Sequence, residues 1–321
     1  MAIGETTATG SVPTTQMSGR EATAAAERRS VRKRWLLVSP ALAIIGLVGI
    51  MPLAIIAVYS FLSPGPYAGI SWDPTLEAWL NVFMERDIFD ETLGINYAHA
   101  SIVTRSFVLA FVTMILALIV GFPTAYFIAT RPDKQRYLWL FIISLPFWSN
   151  LLVRTFAMML VLRDNGYINS SLIYLNVIEK PLEIIFTNTA VGIGLTYAYL
   201  PLMVMPLYAS MEKLDFRLIE AGYDLYGNRW KVLWRIVIPL VRPGIIAGCI
   251  LVFIPAIGAY VTPKLLGGGK NLMVGNLIAN QFGTSRDWPL GSAISLFLML
   301  MVMVALIIYV RNVISEADKN A

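Results

Sequence analysis

The residues able to do chemistry are few, and most fall in one hydrophilic island, Glu212 to Arg242. It reads EKLDFRLIEAGYDLYGNRWKVLWRIVIPLVR and is set between two long apolar runs. Charges this dense cannot lie in hydrocarbon, so the segment is a loop outside the bilayer. Within it Leu214, Leu218, Ala221 and Leu225 recur at helical spacing, and Phe216, Ile219 and Tyr223 fill adjacent faces. Asp215, Glu220 and Asp224 take the more polar side, and Gly227 before Asn228 reads as a helix stop. A second short helix, Arg229 to Ile238, is expected to end ahead of Pro239 and Pro243, where the chain re-enters the membrane. The chemistry on offer is docking, through carboxylates, cations and an apolar stripe. The competing reading is an amphipathic helix lying on lipid.

Catalytic constellations are missing. His99 is the one histidine and Cys249 the one cysteine, which excludes His-rich or Cys-based metal sites, a disulfide within the chain and a nucleophile–base–acid set. GGGK at Gly267 to Lys270 fails as a phosphate loop, because Lys264 and Asn271 stand where the motif needs Gly and Ser or Thr. The net charge of +5 does not point to nucleic acid, since the basic residues punctuate apolar segments instead of gathering in one patch.

The elements that must position the island are membrane spans. The 321 residues are 57% hydrophobic and 14% charged, far from the quarter charged of a soluble domain. Six segments reach the roughly 20 apolar residues that a bilayer core needs. They are Leu36 to Leu62, Ser106 to Thr130, Tyr137 to Val161, Thr187 to Met211, Pro243 to Pro263 and Trp288 to Val310. The predicted architecture is an all-α integral membrane protein of six transmembrane helices. Residues 1–34 form an unstructured tail, 35–311 the membrane domain with the loop at 212–242, and 312–321 a C-terminal tail.

Lys and Arg cluster in the N-terminal tail (Arg20, Arg28, Arg29, Arg32, Lys33, Arg34), the second-to-third loop (Arg131, Lys134, Arg136), the island and the C-terminus. The positive-inside bias makes all four cytoplasmic, both termini included. The loop from Ser63 to Arg105 then faces outward with Asp73, Glu77, Glu85, Asp87, Asp90 and Glu91. It is either an ordinary solvated loop or an acidic vestibule that concentrates a cationic solute. Pro255, Gly258 and Pro263 interrupt the fifth span, as a packing kink or as a pore-lining break. Arg154 is the only charged residue within a span; it is costly there unless satisfied or snorkelling to the outer interface.

The run EAGYDLYGNRWKVLWRIVIP resembles the cytoplasmic EAA loop of bacterial ABC importer permeases, whose pattern is EAA, three residues, Gly, nine residues, Ile-x-Leu-Pro. Glu220, Ala221, Ile236 and Pro239 match, while Gly222 stands for the second Ala, Tyr226 for the Gly and Ile238 for Leu. Leu145 to Leu172, Phe253 to Phe282 and Trp288 to Leu296 are similar to the corresponding segments of spermidine/putrescine permeases. The likeness covers most of Leu36 to Arg311.

The resemblance implies the type I ABC importer permease fold in the bacterial inner membrane. It also implies four kinds of neighbour: a second permease subunit, two copies of an ABC ATPase subunit that hold ATP and magnesium, a periplasmic solute-binding protein, and lipid. The loop would be a coupling helix seated in a groove of the ATPase, through Leu214, Asp215, Arg217, Leu218, Glu220, Ala221, Gly222, Asp224 and Gly227. In it Glu220 would pair with a base or cap backbone donors, and Ala221 and Gly222 would permit close approach.

For a polyamine the path would use aromatic faces and a carboxylate, which singles out Trp148, Tyr197, Tyr199, Phe253, Tyr260 and Asp164. Packing is the competing role of each aromatic. Arg154 would repel a polycation, so a structural or gating role is expected there. Relatives on the same frame carry opines, iron(III) or phosphonates. A stand-alone secondary transporter is the rival class, disfavoured by the lack of intramembrane carboxylates. A membrane-embedded enzyme lacks clustered polar groups in the spans.

Overall fold

The computed structural model describes residues 15–66, 69–86 and 93–319. These divide into two compact units after Val58. The first is made of one helix, α1 (Thr15–Tyr59). It begins well before the first apolar run, which starts at Leu36. Ala22, Ala24, Ala25, Ala26 and Glu27 explain this, because a run of strong helix formers propagates the helix back into the stretch read as unstructured. The rest of that tail, residues 1–14, lies outside the described residues. From Val38 to Tyr59 the helix has a mean hydropathy of 2.7 and is long enough to cross a bilayer.

In the second unit, two small antiparallel hairpins, β1 (Leu62–Pro64) with β2 (Ile70–Pro74) and β3 (Met84–Arg86) with β4 (Leu93–Ile95), flank α2 (Glu77–Phe83). Then follow α3 (Tyr97–Ala129), α4 (Asp133–Trp148), α5 (Leu151–Leu162), α6 (Tyr167–Tyr174), α7 (Asn188–Met211), α8 (Phe216–Asp224), α9 (Arg229–Val232), a π-helical turn (Leu233–Val237), α10 (Ile238–Ile257), α11 (Val261–Leu266), α12 (Val274–Phe282) and α13 (Trp288–Lys319).

The core is the trio α3, α7 and α10. Lipid offers no hydrophobic incentive for helices to meet, so close approach must come from small residues. They are present: Ala117, Gly121 and Ala125 recur every four residues on α3, and Gly244, Gly248 and Ala256 share one face of α10. All six are buried. Met203, Val204 and Leu207 of α7, each fully enclosed, pack in this core.

Five helices among the described residues are long and apolar enough to span, and six if the bent pair α4 and Leu151–Tyr174 counts as one. That pair corrects the straight third span expected from Tyr137 to Val161, because the chain turns by 95° after Trp148. Ser149 and Asn150 are the cause. The Ser149 hydroxyl donates to the Pro146 carbonyl at 2.8 Å, and Asn150 Oδ1 accepts the Leu152 N–H at 2.8 Å, so the polar pair ends one helix and caps the next. The second span begins earlier than expected, at Tyr97, capped by Asn96 Oδ1 accepting the His99 N–H at 2.9 Å. The fifth runs unbroken from Arg229 to Ile257, so Pro239 does not end a separate helix. The wider π-turn ahead of it accommodates a ring that would press on the carbonyl of residue 235 in regular α-helix.

Candidate functional site

At one end of the trio, α8 follows α7 after a short turn and packs on the foot of the fifth span. Asp215 starts α8, with Oδ1 accepting the Arg217 N–H at 3.0 Å. Leu214, 9% exposed, is buried in the core cluster below, together with Ile219 of α8. Gly222 faces inward as well. A Cβ there would come within 2.6 Å of Ile236 Cδ1 and 3.3 Å of Val232 Cγ2, so its lack of a side chain lets α8 lie directly on α9 and the π-turn. This corrects the role expected of Gly222 as a point of outward approach.

The outward face holds Arg217, Leu218, Glu220, Ala221 and Asp224, all exposed. Leu218 is 48% exposed and Leu225 82%. With Ala221 they are three of the four positions of the apolar stripe that helical spacing predicted, and they point away from the protein while the fourth, Leu214, is buried. Glu220 stands beside it, and none of the described residues gives its carboxylate a hydrogen bond or ion pair.

The end of α8 explains the displaced glycine. Tyr226, at the motif's Gly position, has φ +58°, the left-handed conformation that glycine usually supplies. The turn closes as a helix stop should: Tyr226 N–H donates to the Tyr223 carbonyl and Gly227 N–H to the Gly222 carbonyl, both at 3.0 Å. Gly227 is needed for space, because a Cβ there would collide with the Gly222 carbonyl oxygen. The Tyr226 side chain is 97% exposed.

A latch missed in the sequence ties three helix ends together just before α8. Arg136 Nη2 donates to the carbonyls of Ala129 at 3.2 Å and Arg131 at 3.3 Å, and Nη1 lies 3.5 Å from Glu212 Oε1 and 3.4 Å from Asp133 Oδ1. Tyr208 hydroxyl donates to the same Glu212 oxygen at 2.8 Å. The ends of α3 and α7 and the start of α4 thus meet on one guanidinium. Its sequence signal was only a basic residue between two spans.

The opposite end is built around the break in the fifth span. Helix α10 stops at Ile257, and the chain restarts as α11 after Gly258, Ala259 and Tyr260. Freed backbone groups there find side-chain partners, as membrane depth requires. Tyr199 hydroxyl donates to the Pro255 carbonyl at 3.2 Å. Asn276, 1% exposed, donates from Nδ2 to the Tyr260 carbonyl at 2.8 Å and accepts the Met273 N–H at 3.1 Å.

The aromatic candidates therefore separate. Tyr199 and Phe253 pack against the same buried cluster as Phe107, and so support the break. Tyr197 and Tyr260 keep 40% and 37% of their surface exposed. Trp148, 85% exposed, marks the third-span bend, and Asp164 lies exposed in the turn after α5. Arg154 is half-buried on α5 beside a cavity of about 10 Å³ that Tyr197 also lines. Its Nε and Nη1 are enclosed with no hydrogen-bond partner among the described residues. Of the acidic outer loop, Asp73 takes a 2.6 Å hydrogen bond from the Ser71 hydroxyl. Asp87, Asp90, Glu91 and the Glu85 side chain lie outside the described residues.

Residues 107–317 match the family described as "Binding-protein-dependent transport system inner membrane component". The chain is 45% identical over 222 residues to the spermidine/putrescine transport system permease protein PotB of Salmonella typhimurium (strain SL1344), covering 67% of this chain and 77% of that protein. It is 37% identical over 262 residues to PotB of Haemophilus influenzae, covering 82% and 87%. Among solved structures, a chain of a bacterial alginate ABC transporter in complex with alginate pentasaccharide-bound periplasmic protein superposes with a TM-score of 0.68 at 12% identity, covering 87% of this chain and 94% of that one.

Proposed function

The chain belongs to the family of binding-protein-dependent transport system inner membrane components, and on that premise we propose that it is the permease subunit of an ABC importer for spermidine, putrescine or a closely related polyamine. The observation that carries the substrate class is the 45% identity to spermidine/putrescine permeases over two thirds of the chain. The protein resides in the inner membrane. In this reading both termini and α8 are cytoplasmic, in keeping with the excess of Lys and Arg there.

The working assembly pairs this chain with a second, homologous permease subunit, two ATPase subunits below and a solute-binding protein outside. ATP and magnesium sit on the ATPase subunits. This chain's share of the cycle is translocation without a hydrolytic site of its own. The outward stripe of Leu218, Ala221 and Leu225 with Glu220 seats in the ATPase groove.

Movement passes inward because α8 is capped by Asp215 and packs closely at Gly222 on Val232 and Ile236. Those residues are the foot of a continuous helix of 29 residues, Arg229 to Ile257, a rod about 43 Å long. Its other end is the break beside Tyr260. Closure of the ATPase dimer tilts the rod at its foot, and the break changes shape at the mouth of the path. This is alternating access driven from a partner.

The test is uptake of labelled putrescine and spermidine into proteoliposomes holding the complete importer, with loaded binding protein outside and ATP inside. ATP-dependent accumulation of either supports the reading. ATP-dependent uptake of an opine, phosphonate or iron(III) but neither polyamine overturns the substrate, and uptake indifferent to ATP overturns the class.

A further inference from the structure

Beside α8, the foot of the long rod and the end of α3 leave an apolar groove of about 750 Å³ between them. Its size falls within the roughly 300–1,000 Å³ of ligand pockets. Phe122 and Tyr126 of α3 line it together with Leu233 and Val237 of the π-turn, and α8 adds Ile219 and Tyr223. Along the rod the lining runs from Arg229 to Ile245, about 24 Å at helical rise.

The polar groups of the lining gather toward the α8 end. They are the Arg229 guanidinium, the hydroxyls of Tyr126 and Tyr223, and the indoles of Trp230 and Trp234. Each can donate a hydrogen bond to an anion, and no carboxylate stands among the described residues of the lining. From Leu225 to Arg242 the sequence holds four bases, Arg229, Lys231, Arg235 and Arg242, and no acid. Trp230 and Trp234 are one turn apart and both well exposed, and tryptophan settles at the level of lipid headgroups.

We propose that this groove binds an anionic phospholipid from the leaflet on the α8 side, with the phosphate at Arg229 and one acyl chain along Phe122 and Val237. Length argues for lipid over a protein segment. One leaflet with its headgroups is about 20–23 Å deep, close to the length of the groove, whereas a helix crossing the whole core needs about 30 Å of matching surface. Charge argues for an anionic headgroup, because basic pockets between spans recruit such lipids. An occupant touches α3, α8 and the foot of the rod together, the joint on which coupling turns in the reading above. The site does not depend on which solute is carried.

The probes are phosphatidylglycerol and phosphatidylcholine, each with a photoactivatable group on an acyl chain. Equal trace amounts are placed in phosphatidylcholine vesicles holding the permease–ATPase complex. After illumination, adducts on groove peptides are mapped by mass spectrometry in wild type, Arg229→Gln, Lys231→Gln/Arg235→Gln and Leu233→Trp. In wild type, phosphatidylglycerol should label the groove about fivefold more than phosphatidylcholine, the preference that one base near the membrane surface supplies. Arg229→Gln should bring the two lipids to equal labelling. Lys231→Gln/Arg235→Gln, whose side chains lie outside the groove lining, should keep most of the preference. Leu233→Trp fills the groove without touching the charge, and should lower labelling there by both lipids. Equal labelling in wild type means ordinary exposure to the bilayer and overturns the site. A preference that survives Arg229→Gln, or is lost equally in Lys231→Gln/Arg235→Gln, means a general surface-charge effect and overturns it too. Unchanged labelling in Leu233→Trp places the lipid elsewhere. Groove peptides free of adducts, while other lipid-facing segments are labelled, would show that another part of the assembly covers the groove and would also sink the proposal.

Discussion

The Arg136 guanidinium stands 3.5 Å from the Glu212 carboxylate while also donating to the carbonyls of Ala129 and Arg131. The two halves of this latch are unequal. The ion pair is partly exposed, with the Glu212 side chain 48% accessible, and such pairs contribute under about 1 kcal/mol. The carbonyl bonds come from a guanidinium only 21% accessible, and charge-assisted bonds of this kind contribute about 1.5–3 kcal/mol. Arg136→Met should therefore lower the Tm of the purified complex by about 3–6 °C and Glu212→Gln by under about 2 °C. Equal losses would place the strength in the ion pair and contradict the geometry.

The fit of α8 on its own helix foot predicts a graded series at Gly222. Ala adds a methyl where Ile236 Cδ1 must give way, and Val adds two more carbons against Val232 and Ile236. Overpacking of this size costs about 1–3 kcal/mol and tilts the helix instead of unfolding the protein. Gly222→Ala should reduce solute moved per ATP modestly and Gly222→Val severely, with the assembled complex still recovered. Uptake assays beside ATPase assays check this, and wild-type coupling in Gly222→Val would show that the packing is not transmitted.

Backbone strain at Tyr226 gives a rank order. Its left-handed conformation costs a non-glycine residue about 1 kcal/mol, and β-branched residues more. If the turn alone matters, retention of the ATPase on the purified permease runs Gly at or above Asn, then Tyr, then Val. Should Tyr226→Gly instead release the ATPase, the exposed phenol ring is itself part of the contact.

Arg154 presents two enclosed nitrogens without hydrogen-bond partners among the described residues. A charge kept at such cost does not stabilise the fold. Arg154→Met should leave Tm unchanged or raise it by a few degrees while uptake falls at least about tenfold. A large drop in Tm would mean that the guanidinium is an ordinary structural bond.

Much of this was legible in the sequence because membrane physics leaves few choices. Apolar length located the spans, and helical spacing with the Glu220–Ala221 to Pro239 interval located α8. Pattern alone could not assign its faces. Leu218, Ala221 and Leu225 form a stripe like those that elsewhere bury against a core, and only the packing of Gly222 and Ile219 shows that the stripe looks outward.

The bend at Ser149 and Asn150 was hidden by apolar neighbours on both sides, since hydropathy averages over two polar residues that decide a cap. Tyr199 and Tyr260 looked alike as aromatic residues near an outer end. Their difference is a hydroxyl that donates to the Pro255 carbonyl in one and a hydroxyl that accepts from Lys264 Nζ in the other. Such long-range partners leave no local trace.

The most direct test of the account is the ratio of spermidine moved to ATP hydrolysed, read in the same proteoliposomes for wild type, Glu220→Arg and Leu218→Glu. Both substitutions lie on the exposed face of α8, clear of the core. The account predicts that the assembled permease pair survives in both, while the ratio falls toward zero as the ATPase either dissociates or turns over without transport. A wild-type ratio in both variants would contradict the claim that α8 couples a partner's hydrolysis to polyamine movement.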